Sequence, residues 1–195
     1  MRKLLTLLVF MGMPATAQLA APNEAGVAMG HLHLTVRDAE AHKKFWSTLG
    51  GTPVQNGRLQ LIQFPGVFVM LRQAEPKGGT EGSTVNRVGF RVKNLKESLA
   101  RWEAAGIKAL PNATAKQAWL SAPDDIKIEI TEDAALSTPI AGSQVVFSTV
   151  APSEAQAWYA KTFGAKVPGV SLTFSETKDA PVGTRGRRSI TSASK

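Results

Sequence analysis

Apolar and polar residues alternate and then switch to helical spacing three times along the chain. HLHLTVRDAEAHKKFWSTLGG begins at His31, RVGFRVKNLKESLARWEAAGI at Arg87 and QVVFSTVAPSEAQAWYAKTFGA at Gln144. The three starting points are 56 and 57 residues apart, a near-constant spacing that is typical of a duplicated supersecondary unit. Each copy predicts a strand followed by an amphipathic helix that ends at glycine.

Capping residues and aromatic residues define the predicted helices. Asp38, Asn94 and Ser153 stand where an N-cap belongs, because each side chain can accept from the first free backbone N–H groups. Aromatic residues at helical spacing predict the buried helix faces, with Trp46 in the first copy and Trp158 in the third. Further alternating runs follow the first two helices, so the pattern predicts two complete β-α-β-β-β modules and part of a third.

The N-terminal segment MRKLLTLLVFMGMPATAQ has the three parts of an export signal. Arg2 and Lys3 precede an apolar stretch, and the small residues Ala15 and Ala17 predict cleavage after Ala17. The apolar stretch is shorter than the roughly 20 residues of a membrane-spanning helix, which favours a signal over an anchor. We therefore expect a periplasmic or secreted protein that has no membrane association after cleavage.

Composition and charge limit the kinds of site and partner that this chain can have. The chain has 195 residues, 43% of them hydrophobic, and no cysteine, which excludes disulfides, thiol catalysis and zinc sites built on thiolates. The net charge is +8, and part of the excess lies in the C-terminal run VGTRGRRSITSASK. Such a run can contact nucleic acid or anionic lipid, but a solvated tail is the commoner case. Since we expect export, we predict no nucleic-acid partner.

The duplicated pattern resembles the vicinal oxygen chelate superfamily, which includes glyoxalases, extradiol dioxygenases, fosfomycin-resistance enzymes and bleomycin-resistance proteins. The three repeats and the run PDDIKIEI carry the resemblance. It implies an α+β fold in which paired β-α-β-β-β modules form a curled mixed sheet around a cavity, with an incomplete third module at the C-terminus. The expected organisation is a signal peptide at 1–17, a linker at 18–28, a two-module domain at 29–136, a partial third module at 137–176 and a basic tail at 177–195.

The resemblance also implies a metal position. In the family, the first and last strands of each module supply the ligands of a divalent ion. Carried over to this chain, the four positions are His31, Met70, Arg87 and Glu129, so only His31 and Glu129 keep ligand chemistry. A guanidinium has no acceptor and cannot lose its charge, and a thioether is too soft for magnesium, manganese or zinc. We therefore expect either no cofactor or a weakly held divalent ion.

Arg87, His33 and Trp119 form the predicted set of ligand-binding residues. The Arg87 cation can take the place of the metal and pair with Glu129 in the cavity, or it can turn outward at the strand edge. His33 lies on the same strand face as His31, so it either lines the cavity or replaces the missing ligand at a shifted ion position. Trp119 is a candidate for the cavity wall.

Two further side chains are assigned no part in the site. His42 lies in the first predicted helix and is expected to be exposed. Gln144 opens the third repeat at the position where some members of the family coordinate metal through glutamine. Because the third module is incomplete, we expect Gln144 to have no partners.

Three functions are consistent with the sequence. The first is a module that binds a small oxygen-rich or anionic molecule without turnover. The second is a metal-dependent isomerase, lyase or ring-cleaving dioxygenase, in which His31 and Glu129 hold the ion. In the third, the basic tail and the incomplete module pair with another copy and form a homodimer. The incomplete ligand set favours binding, and no catalytic residue is identified.

Overall fold

The computed structural model describes residues 19–182, so the predicted signal peptide and most of the basic tail lie outside the described residues. No helix in this range is both long enough and apolar enough to cross a membrane. A 3₁₀ turn at Pro123–Asp125 precedes the seventh strand. The strands and helices are β1 (His31–Val36), α1 (Ala39–Leu49), β2 (Thr52–Asn56), β3 (Leu59–Phe64), β4 (Val67–Gln73), β5 (Val85–Val92), α2 (Leu95–Ala104), β6 (Gln117–Ala122), β7 (Ile126–Glu132), β8 (Ile140–Thr149), α3 (Pro152–Phe163) and β9 (Ser171–Glu176).

The strands form two mixed sheets, which confirms the predicted α+β class. The first sheet has the order β1-β4-β3-β2, and the second has the order β6-β7-β5-β8-β9. β1 runs parallel to β4, β5 to β7 and β8 to β9. The opening strand of every repeat is therefore paired with the last strand of the same repeat, as expected for copies of one unit.

The second module completes its sheet with the third module. β5 and β8 are antiparallel, with Gly89 opposite Gln144 and Arg87 opposite Val146. The alternating pattern of β8 explains this pairing, because Val145 is fully buried in the core while Gln144 lies on the other face. The second module thus shares a sheet with the third module. The family resemblance implies that it pairs with the first module instead.

The second module has one strand fewer than the first. The segment 107–116, which follows α2, contains Pro111 and has Asn112 in the left-handed region at φ 71°. Proline lacks the N–H that a sheet ladder needs, and asparagine tolerates left-handed backbone better than most residues. A hydrogen bond from the Leu110 N–H to the Trp119 carbonyl (2.7 Å) still ties this segment to β6.

Aromatic rings join the two sheets into one core. Trp46 of α1 lies 6.2 Å from Phe64 of β3 and 5.8 Å from Phe90 of β5, measured between ring centres. The same core includes Trp102 of α2. Trp158 was predicted to be buried and is 56% exposed, because its neighbour Tyr159 faces the sheet and adjacent helical residues point in different directions.

Two of the three predicted helix caps are present. Asp38 accepts from the backbone N–H groups of Glu40 and Ala41, and Asn94 accepts from that of Glu97. The prediction for Ser153 is wrong, because α3 already begins at Pro152. Proline is well suited to the first helical position, where its fixed φ fits and its missing N–H leaves no bond unmade.

The segment before β1 crosses to the third module. The Met29 N–H donates to the Pro168 carbonyl (2.9 Å), and the Asn23 side-chain amide donates to the Phe163 carbonyl (2.7 Å). Gly169 has a φ of +94°, and a Cβ there would lie 2.1 Å from the Met29 carbonyl oxygen. Only glycine allows this approach.

Candidate functional site

Glu129 is the centre of a hydrogen-bond network on the second sheet. Its side chain is 7% exposed, and its neighbours Ile128 and Ile130 are fully buried on the opposite face of β7. The Arg87 Nε donates to Oε2 (2.7 Å), and the Gln117 and Gln144 side-chain amides donate to Oε1 (2.6 Å) and Oε2 (3.1 Å). Of the two orientations considered for Arg87, the inward pairing is the one present. The three donors satisfy both carboxylate oxygens.

Gln144 has partners, contrary to the sequence prediction, because β8 completes the second sheet. It donates to Glu129, and its side-chain oxygen accepts from the Thr173 hydroxyl (3.2 Å). The parallel register places Glu129 opposite Gly89 and Thr173 opposite Val146, so Thr173 holds the same position in the third repeat as Glu129 in the second. Thr173 was not among the predicted site residues, although it lies in VSLTFSE, an alternating run that is typical of a strand.

A divalent metal does not fit among these four side chains. The family resemblance implied a set of His31, Met70, Arg87 and Glu129. Because the second module pairs with the third, the corresponding strand positions of this pair instead hold Arg87, Glu129, Gln144 and Thr173, and hydrogen bonds connect them to one another. The guanidinium offers no lone pair, carries a fixed positive charge and lies within hydrogen-bond distance of the carboxylate. Across residues 19–182, no group of three or more histidine or acidic side chains is arranged to hold a metal ion.

An aromatic ring with two cations borders the network. The Arg87 guanidinium carbon lies 5.5 Å from the centre of the Trp119 ring, and the Lys127 ammonium lies 4.6 Å from it. The Arg87 Nη1 donates to the Asn86 side-chain oxygen (3.0 Å), which holds the guanidinium in place. The structure therefore brings together Arg87 and Trp119, two of the three predicted ligand-binding residues.

His31 and His33 lie on the first sheet, apart from this network. His31 and Glu129 were predicted to share an ion, but β1 and β7 belong to different sheets. The two imidazole ring centres are 4.8 Å apart. Two effects lower the pKa of His31 below its ordinary value: partial burial, which is the larger, and the charge of the neighbouring His33. His33 also lines a cavity of about 490 Å³ together with Arg58, Met70 and Arg72, among other residues.

The prediction that His42 is exposed is wrong. His42 is fully buried, and Trp46 Nε1 donates to its Nδ1 (3.3 Å). Because an indole N–H can only donate, Nδ1 is the acceptor, and Nε2 carries the proton toward the Asp124 carboxylate at 3.0 Å. Asp124 projects from the turn before β7 with a φ of 60°. This chain of bonds ties α1 to the second module.

Comparison with solved structures tests the fold. A candidate dioxygenase from Bacillus subtilis subsp. subtilis str. 168 superposes with a TM-score of 0.57 at 12% identity, over 83% of this chain and 68% of that one. This chain has the vicinal oxygen chelate fold. Its vicinal oxygen chelate modules also align with two shorter proteins. The fosfomycin resistance protein FosX from Listeria monocytogenes aligns at 14% identity and TM-score 0.46, over 55% of this chain and 92% of that one. A candidate glyoxalase from Bacillus cereus aligns at 21% identity and TM-score 0.44, over 53% and 97%. No family profile and no curated protein matches the sequence.

Proposed function

We propose that this protein binds a small anionic or oxygen-rich molecule over the second sheet, with Arg87 and Trp119 as its anchors and without a metal ion. The observation that carries this proposal is the pairing of Arg87 with Glu129 at the position where the family places its ion. The guanidinium has five N–H groups, and its bonds to Glu129 and Asn86 involve only Nε and Nη1, so N–H donors remain to bind ligand oxygens.

The surroundings of Arg87 favour recognition of an anion. Glu129 and Asn86 hold the guanidinium in one orientation, so little conformational entropy is lost when a ligand binds. The Arg87 side chain is 23% exposed, and it therefore remains accessible from the sheet face. Lys127 adds a second positive charge beside Trp119, whose ring offers apolar surface to the carbon part of a ligand.

The N-terminal segment and the metal-dependent alternative remain to be considered. We propose that the N-terminal segment directs export to the periplasm or the medium, which intact-mass measurement of the mature N-terminus would test. The metal-dependent enzyme requires His31 and Glu129 on one ion; the two residues belong to different sheets, and among residues 19–182 no group of three or more histidine or acidic side chains is arranged to hold one.

Calorimetric titration with oxalate, malonate and methylphosphonate tests the proposal. We expect at least one of these anions to bind, and we expect Arg87→Leu to weaken that binding by about tenfold or more, equivalent to about 1.4 kcal/mol. Arg87→Lys keeps the charge but loses the planar fork, so its effect should be intermediate.

Arg91 offers a matched control. It lies on the same strand and pairs with Asp133 at 2.9 Å, outside the network around Glu129. Arg91→Leu should leave anion binding unchanged. Equal affinity in the wild type and in Arg87→Leu would contradict the proposal, as would failure of all three anions to bind.

A further inference from the structure

Two histidines and a methionine share one face of the first sheet, and the function proposed above does not use them. His31 and His33 are two residues apart on β1, so their side chains point to the same side. Met70 of β4 is the register partner of His33, which places it on that face as well. Within residues 19–182, neither imidazole has a hydrogen-bond partner.

The spacing of the two imidazoles suits a shared ion. Bonds of about 2.0–2.1 Å from one ion to two imidazole nitrogens place the ring centres about 4.5–5.2 Å apart for bond angles between 90° and 110°. The observed separation of the His31 and His33 ring centres is 4.8 Å. The ring spacing is therefore compatible with coordination of one ion by both imidazoles.

The third donor decides which ion fits. A thioether is a soft ligand that favours cuprous copper over magnesium, manganese or zinc, and imidazole also suits copper. Arg58 and Arg72 line the cavity that contains His33 and Met70, and their positive charge disfavours a divalent ion more than a monovalent one. Their repulsion is about half as large for a monovalent ion as for a divalent ion at the same distance.

We propose that His31, His33 and Met70 form a binding site for Cu(I) on the first sheet. The site is independent of the anion site, because Arg87 and Glu129 belong to the second sheet. A result that contradicts one of the two proposals therefore does not contradict the other.

Competition with the coloured Cu(I)–bicinchoninate complex tests the site under anaerobic, reducing conditions. The wild-type protein should withdraw about one equivalent of Cu(I), seen as loss of the complex's absorbance. Met70→Leu should weaken Cu(I) binding by about tenfold or more, and it is close to volume-conserving, so the fold should persist. The double variant His31→Gln/His33→Gln should abolish the withdrawal.

Thr35→Val is the matched control, because Thr35 lies on the same face of β1 and carries no soft donor. This variant should withdraw Cu(I) as the wild type does, and circular dichroism verifies that each variant is folded. Failure of the wild-type protein to withdraw copper would overturn the proposal. Equal withdrawal by the wild type, Met70→Leu and the double histidine variant would also overturn it, because other side chains would then hold the ion.

Discussion

Arg87 shows how one residue determines the chemistry of the network around Glu129. The guanidinium lies against Glu129 at 2.7 Å, and Glu129 accepts two further hydrogen bonds from Gln117 and Gln144. A buried carboxylate that is this fully bonded is a poor ligand for a metal, because coordination would first have to break these bonds. The same bonds hold Arg87 in a fixed orientation toward the sheet face.

Replacing Arg87 with histidine tests this interpretation at the residue scale. In Arg87→His, a neutral imidazole joins Glu129 and Gln144, which gives three protein donors, the number typical of an open zinc site. We expect the variant to bind about one Zn²⁺ per chain, measured by elemental analysis after incubation with zinc and desalting. The wild-type protein, treated in the same way, should retain less than a stoichiometric amount. Equal zinc in both proteins would contradict the role assigned to Arg87.

At the scale of elements, the three helices differ in whether a side chain caps the N-terminus. Asp38 and Asn94 cap α1 and α2 as predicted, because each side chain accepts from backbone N–H groups of the first helical turn. Ser153 was chosen on the same grounds but lies inside α3, where Pro152 has already set the first helical position. Side-chain capping therefore stabilises two helices and is absent from the third.

Alanine substitutions should distinguish the helix that is capped by a side chain from the helix that is not. Asn94→Ala removes the acceptor for the Glu97 N–H and should lower the free energy of unfolding by about 1 kcal/mol. Ser153→Ala removes no cap and should change it by less than about 0.5 kcal/mol. Urea unfolding followed by circular dichroism measures both. A larger loss for Ser153→Ala than for Asn94→Ala would contradict the assignment of α3.

Sequence reasoning recovered what repeats and alternation encode, and it failed where distant segments meet. The module order, the inward face of Glu129 and the helix bounded by Asp38 follow from local pattern. The burial of His42 does not, because its partner Asp124 is 82 residues away. The role of Gln144 was missed because a partial repeat carries no sign of which sheet it completes.

At the scale of the whole molecule, the third module forms part of the second sheet. β8 pairs with β5 from end to end, from Val85 to Val92. Ile140 and Val145 of β8, with Val170 before β9, belong to the core shared by both sheets. The module is thus required for burial of the second sheet as well as for the network around Glu129.

Removal of residues 138–195 should therefore unfold the second sheet. The truncated chain would expose the β5 edge and the apolar surface that β8 covers, which favours aggregation through strand pairing. We expect a broad, uncooperative thermal transition and early elution in size-exclusion chromatography, whereas the full chain should unfold cooperatively. A monomeric truncated protein with a sharp transition would contradict this account and favour an independent two-module domain.

The crossing of the N-terminal segment to the third module affects the order in which the chain folds. Asn23 bonds to the carbonyl of Phe163, 140 residues later, and Met29 bonds to the carbonyl of Pro168. Contacts between such distant segments form late, because the intervening chain must first be ordered. The segment before β1 therefore stays without these partners until almost all of the described chain is available to fold. The first sheet can fold before then, but its N-terminal anchor cannot.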